Sequence, residues 1–216
     1  IDEYHYVEPL GKSPKEHLIP LLYLEKEVFD GGVVAASNHL KTFCKSVSVM
    51  RNDKLTRKVR MVDKAYFRKL VEIHYEEECQ PVECGIEESM ADAVVITDFG
   101  HGAIDANQAA FSDLKPNFLA VNAQTNSSNI GFNLITKYPR ADYIVIDEPE
   151  ARLAAADKQG HIEDVIHKLA HGRCERFIVT HGKYGAYGYD NGRFLHQKAM
   201  SEHPLDTMGA GDAFLS

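Results

Sequence analysis

The chain has no surplus of basic residues: 24 lysines and arginines face 32 aspartates and glutamates, a formal net charge of −8 over 216 residues. Nucleic acids and anionic membranes are gripped by clustered positive charge, so neither is expected as a partner and a small molecule fits better. Also lacking is any apolar run near the roughly 20 residues that cross a bilayer, or a basic N-terminal segment followed by an apolar one. A cytoplasmic location is therefore expected. Cysteine is scarce: Cys44, Cys79, Cys84 and Cys174 form no CxxC pair and have no histidines at zinc spacing, which favours reduced structural thiols over a metal centre. Internal repeats and low-complexity segments are absent.

What is present is enough apolar material, 44% of the chain, for one sizeable core. The runs "ADAVVITDFG", "NFLAVNAQ", "ADYIVIDEPE" and "RFIVTHGK" each break into polar or glycine-rich residues, the pattern of strands buried on both faces. Between them "NQAAFSDL", "NIGFNLITKY", "EARLAAAD" and "IEDVIHKLAH" carry helix formers, giving a βαβα order and an α/β fold with a mainly parallel sheet covered on both sides. "GGVVAASNHLKTFC" reads as a loop opening a helix, and "YGYDNGRFLH" as a hairpin turning at Asp190-Asn191-Gly192. Ligands of such sheets bind beyond the carboxyl ends of the strands, where Asp98, Asn122, Asp147 and Thr180 fall.

Three other segments, "HLIPLLYLEKEVF", "KLTRKVRMV" and "KLVEIHYEEE", alternate apolar and charged residues, as in a sheet with one wet face. They predict a small antiparallel lid sheet over about 17–29 and 54–78, set apart from the main one, with Val71, Ile73 and Tyr75 on one face. Three strands with an exposed apolar face need a partner surface, so a two-fold homodimer through the lid is expected.

The closing stretch "PLDTMGAGDAFLS" surrounds one carboxylate with small residues. Gly209 and Gly211 let the backbone turn tightly before a helix, whose free N–H groups suit a phosphate. Asp212 would repel that anion, which makes it a better proton acceptor than anion ligand.

"DTMGAGD" resembles the DTxGAGD signature of the ribokinase-like (PfkB) carbohydrate kinases. "DGG" at 30–32, "DFGHG" at 98–102, "DEPE" at 147–150 and "VTHGKYG" at 179–185 follow in that family's order. "IDEYHYVEPLGKSP", "TRKVRMV" and "VVITDFGHGAI" look most like the kinases acting on heptose 7-phosphate, though no HxGH nucleotidyltransferase motif accompanies them. The resemblance implies a ribokinase-like three-layer α/β fold with a β-sheet lid, in one domain spanning 1–216 and incomplete at both ends. A further strand-helix unit is expected between the parts resembled by Met50 and Arg51.

The implied activity is ATP-dependent transfer of a γ-phosphoryl group to a hydroxyl of a sugar or sugar phosphate, with ATP and Mg²⁺ as cofactors. Asp212 would be the base, and the amides of Gly209, Ala210 and Gly211 would hold the charge that develops on the phosphoryl group. Thr180, Gly182 and Gly185 match the nucleotide-side TxGxxG, and Thr207 belongs to the signature. Glu150 would enter the metal's water shell, with Asp147 where the family usually has asparagine.

On the sugar side, Asp2 matches the aspartate that grips hydroxyls, and Gly31 and Gly32 match the glycine pair. Ala35 stands where asparagine is common, with Asn38 one turn later. Asn122, Gln124 and Asn126 could read hydroxyls, and Lys58 and Arg60 could reach a phosphate on the substrate. Plainer roles compete: Asp98 as a strand-end turn residue, Glu150 as a helix start, the amides as an Asx-rich turn, and Lys58 and Arg60 as a solvated lid face. A nucleoside kinase and a non-catalytic sugar-binding regulator are the other readings of the same scaffold. "DFG" does not signal a protein kinase, since the HRD loop, the VAIK strand and a phosphate-covering GxGxxG are all missing.

Overall fold

The computed structural model describes residues 1–52, 56–76, 80–82, 91–104, 116–201 and 209–216. Four apolar runs form β5 (Ala93–Asp98), β6 (Phe118–Ala123), β7 (Tyr143–Asp147) and β8 (Arg176–Thr180), paired in parallel in that order. The chain then turns back through β9 (Ala186–Asp190) and β10 (Arg193–Gln197), both antiparallel, giving a six-stranded sheet ordered β10-β9-β8-β7-β6-β5. The hairpin turns at Asn191 and Gly192, both at positive φ (48° and 89°), as a two-residue turn matched to strand twist requires.

Both faces of this sheet are covered, which is why its strands read as continuous apolar runs. On one face Ile96, Leu119, Val121, Ile144, Ile146, Phe177 and Val179 pack with Ala151 and Ala155 of α2 (Glu148–Ala155) and Val165, Ile166 and Leu169 of α3 (Ile162–Ala170). The α3 stripe follows helical spacing, with Glu163 and Asp164 in its first turn and His167 and Lys168 in its last, matching the helix dipole. On the other face Ala120 and Val145 meet Leu215 of α4 (Ala210–Leu215), and α4 packs on α1 (Gly32–Leu40). This is the expected three-layer α/β arrangement. Among the described residues no helix is long and apolar enough to cross a membrane.

The lid differs from the expectation in composition. It is a four-stranded sheet ordered β2-β1-β3-β4, and β1 (Asp2–Pro9), not anticipated as a strand, lies inside it. β1 pairs antiparallel with β2 (Leu21–Phe29) but parallel with β3 (Arg57–Asp63), so the sheet is mixed; β4 (Arg68–Tyr75) closes it. A strand between two neighbours has no free ladder, so β1 is the spine of the lid. Val71, Ile73 and Tyr75 do share a face and are exposed, Val71 by 50%.

A second difference falls on "NIGFNLITKY", which forms turns and a single 3₁₀ turn at Ile135–Lys137 in place of the expected α-helix. Asparagine side chains supply the reason, because they offer the backbone alternatives to helical bonding. Asn126 Oδ1 accepts from Ser128 N and Oγ, and its Nδ2 donates to Phe99 O. Asn129 Nδ2 donates to Phe99 O and Gly100 O, and Asn133 Nδ2 to Asp98 O and Gln124 O. The expected helix at "NQAAFSDL" lies outside the described residues, as do Cys79 and Cys84; Cys44 and Cys174 are free thiols.

Candidate active site

The carboxyl ends of β6, β7 and β8 open into a cavity of about 1090 Å³. Asn122, Gln124, Asp147, Glu150, Thr180, Gly182 and Gly185 line it, and Gly209, Ala210, Gly211 and Asp212 close it from the start of α4. Strand-end convergence thus brings together residues separated by up to 90 positions.

Gly209 sits at φ 71° as the N-cap of α4, and Asp212 follows in the first turn. Asp212 is buried, 7% exposed. Gln124 Nε2 donates to its Oδ1 at 3.0 Å. Its Oδ2 faces the start of α1: a Cβ at Gly32 would lie 2.7 Å from it and would overlap the Phe99 ring. Only a residue without a side chain lets α1 come this close. Burial raises the Asp212 pKa, the Gln124 hydrogen bond lowers it, Asp2 raises it and His39 lowers it, with a net rise. A poised carboxylate at the mouth of a helix N-terminus can accept a proton next to a site built for an anion.

The loop expected to face the nucleotide is shaped by glycine at one position above others. Gly185 has φ 101°, and a Cβ there would run into the backbone of Gln197 and lie 2.8 Å from Ala199 N. Thr180 ends β8 opposite Ala186, so the loop between them is tight. Thr207 lies outside the described residues. Sequence reasoning missed several cavity-lining groups here, namely His181, Lys183, Tyr184 and the 197–201 segment. His181 Nε2 meets Glu148 Oε2 at 2.5 Å and its ring lies 4.8 Å from that of Tyr184. "VTHGKYG" held the first three; nothing in "QKAMS" signals a cavity wall.

Glu150 and Asp147 make a capping box. Asp147 Oδ1 accepts from Glu150 N at 2.8 Å, and Glu150 Oε2 from Asp147 N at 3.0 Å. Glu150 Oε1 accepts from Thr125 N at 2.7 Å, tying the β6 loop to the start of α2. Burial and the neighbouring Asp147 carboxylate push the Glu150 pKa up to about 7. Both Glu150 oxygens already accept N–H groups, and among the described residues no cluster of three metal-ligating side chains occurs. The pair therefore fits a Mg²⁺ ion held through waters and substrate phosphates better than one ligated directly.

On the sugar side the geometry redistributes the expected roles. Arg60 is buried and ion-paired to Asp2 through Nη1 and to Glu72 through Nε, the latter at 2.6 Å. Its guanidinium is thus occupied by two carboxylates, and Glu72 had not been singled out. Lys58, on the same strand, has no ion pair among the described residues. Asp98 is buried, accepts from Gly100 N at 2.9 Å and Tyr138 Oη at 2.7 Å, and pairs with Lys137, which is the strand-end turn role. Asn126 is spent on Ser128 in its own loop and on Phe99 O after β5, and Asn38 is exposed on α1. Gly31 is the α1 N-cap. Asn122 donates from Nδ2 to Val145 O at 2.7 Å, while its buried Oδ1 has no hydrogen-bond partner among the described residues.

The family model for pfkB family carbohydrate kinases matches residues 103–216, more than half of the chain and the part that carries the cavity. The chain belongs to the pfkB family of carbohydrate kinases. As such it is a sugar kinase, a phosphotransferase that uses ATP. No curated protein sequence matches it. Among solved structures, a mutant of phosphofructokinase-2 from Escherichia coli superposes with a TM-score of 0.68 at 11% identity, covering 99% of this chain and 80% of that one. The same enzyme with fructose-6-phosphate gives 0.62 at 11% identity, with coverage of 99% and 80%. Ribokinase from Thermotoga maritima gives 0.65 at 15% identity, covering 98% and 78%. At these identities the likeness speaks for the ribokinase-like fold alone.

Proposed function

We propose that this carbohydrate kinase phosphorylates a hydroxyl of a sugar or sugar phosphate of the heptose 7-phosphate type, with Asp212 as general base. One observation carries the reading: a buried carboxylate stands where the α4 N-terminus meets the large cavity, against the start of α1 that Gly32 lets come close. The sugar hydroxyl oxygen forms a bond to the γ-phosphorus, the bond to the bridging β–γ oxygen breaks, and the hydroxyl proton passes to Asp212. Amides of Gly209, Ala210 and Gly211 face the negative charge that develops on the phosphoryl oxygens. A bound Mg²⁺ would supply the remaining charge neutralisation, and Asp147 and Glu150 are the residues that would hold it through water. Thr180, Gly182 and Gly185 shape the nucleotide side. Asp2 grips sugar hydroxyls, and Asn122 Oδ1 offers an unused acceptor to a ligand donor. Lys58 is the cation left for a substrate phosphate once Arg60 is spent on Asp2 and Glu72.

The partner surface is a second copy of the lid. Leu22, Leu24, Val28, Val71 and Ile73 leave apolar area in water on a small sheet, and a self-complementary patch closes symmetrically.

A screen for phosphoryl transfer across sugars, sugar phosphates and nucleosides tests the substrate class. Turnover is expected with a phosphorylated sugar, and preference for an unphosphorylated nucleoside would overturn it. Asp212→Asn keeps the size of the side chain but removes the base, so kcat should fall by about 10² to 10⁴ with ATP binding retained. Near wild-type turnover in that variant would refute the base assignment.

A further inference from the structure

Gln124 follows β6 by one residue, and its backbone is fastened at both ends. Its N–H donates to Asp98 O at 2.7 Å, its carbonyl accepts from Asn133 Nδ2 at 2.9 Å, and the next residue, Thr125, donates to Glu150. A side chain on so fixed a backbone reaches Asp212 without the entropy cost of a free loop. It meets one carboxylate oxygen only, Oδ1, while Oδ2 faces the start of α1 at Gly32.

We propose that Gln124 is a positioning residue for the phosphoryl transfer: its carboxamide holds Asp212 Oδ1 and thereby leaves Oδ2 as the single oxygen that takes the sugar proton. The proposal rests on Asp212 being the base. Two consequences follow from the chemistry of the pair. An amide N–H donates more strongly to an ionised carboxylate than to a protonated one, so it favours the form that can act as a base. The other charged groups acting on Asp212 are Asp2, which opposes ionisation, and His39, which favours it; Gln124 acts against the burial and Asp2 together. It also fixes the carboxylate plane, so that the accepting lone pair does not rotate out of line with the attacking hydroxyl.

The test compares wild type with Gln124→Met, which keeps volume but has no donor, and Gln124→Glu, which places a carboxylate at the same spot. The readout is the pH dependence of kcat at saturating ATP and sugar, each enzyme normalised to its own high-pH plateau so that partial loss of folded protein cancels. The acid limb should move to higher pH in Gln124→Met and further in Gln124→Glu. On the acid side of the limb the normalised rate at a given pH should drop on the order of tenfold, since a hydrogen bond to a charged group is lost. KM for ATP should stay within about twofold. An unmoved acid limb in both variants would overturn the proposal, as would a loss confined to the sugar KM, which would make Gln124 a substrate contact. Asp212→Asn run alongside separates the two ideas: if it retains activity, the base assignment fails; if it is inactive and the limbs do not move, only the role of Gln124 fails.

Discussion

Adding one methyl group at Gly32 perturbs the site at its narrowest point. Gly32 opens α1 with ordinary helical geometry, so alanine should be accepted by the backbone and even favoured by about 1 kcal/mol in helix propensity. The cost is local. The new Cβ would lie 2.7 Å from Asp212 Oδ2 and closer still to the Phe99 ring. Phe99 is half-buried and can swing outward, but Asp212 is buried and held by Gln124. Restoring a contact of about 3.4 Å requires the carboxylate and α1 to separate by roughly 0.7 Å. Such overpacking typically costs about 1 to 3 kcal/mol, which offsets the propensity gain and leaves a small net change in stability. Catalysis should suffer more, because a displacement approaching 1 Å at a reacting group is worth up to about 10²-fold in rate. The expected outcome for Gly32→Ala is a kcat lowered by about 10 to 100-fold, a Tm within a few degrees of wild type, and unchanged ATP affinity by titration calorimetry. Wild-type kcat for a phosphorylated sugar would show that the reaction does not occur beside Gly32.

Other outcomes follow from burial and pairing. Asp98→Ala removes the buried carboxylate that Lys137 and the Tyr138 hydroxyl share, leaving the Lys137 charge with only the neutral Asn133 Oδ1, and should cost about 3 to 5 kcal/mol in denaturant unfolding; an unchanged midpoint would contradict the structural role of Asp98. Burial pushes the Cys174 thiol up to about 12, so it stays protonated at pH 8. Iodoacetamide should then modify exposed Cys44 and spare Cys174, read by peptide mass spectrometry, and equal labelling would refute this. Light scattering of the full-length protein at micromolar concentration should give a dimer that Val71→Glu dissociates; a monomer with an ordered lid would exclude the lid interface.

The parallel strands were legible because burial on both faces leaves a run of apolar residues that no other element needs. Tyr143–Asp147 and Arg176–Thr180 lie within the segments the pattern marks. β1 was not, since "DEYHYVEP" mixes tyrosine, histidine and glutamate with one aliphatic residue, Val7, and its place between β2 and β3 comes from long-range pairing. The 129–138 segment misled for the opposite reason. It carries helix-forming residues, yet the side chains of Asn129 and Asn133, and of Asn126 just before it, bind the backbone first. At the site, glycines and the lone aspartate of the signature were readable locally. The Arg60–Asp2–Glu72 triad and the Gln124–Asp212 bond were not, because they join residues 58, 12 and 88 positions apart, and each partner alone looks like an ordinary polar residue.

The fastening of the wall around Gln124 by Asn126, Asn129 and Asn133 has a consequence for the conditions under which the enzyme works. Carboxamides carry no net charge and do not titrate, so this wall keeps its shape as acidity and ionic strength change. In a chain of formal charge −8, a carboxylate-built wall would instead repel an anionic nucleotide and soften when protonated. Neutral joinery keeps this part of the frame indifferent to the medium, and the response to acidity is left to the two buried carboxylates beside it, Asp212 and Glu150.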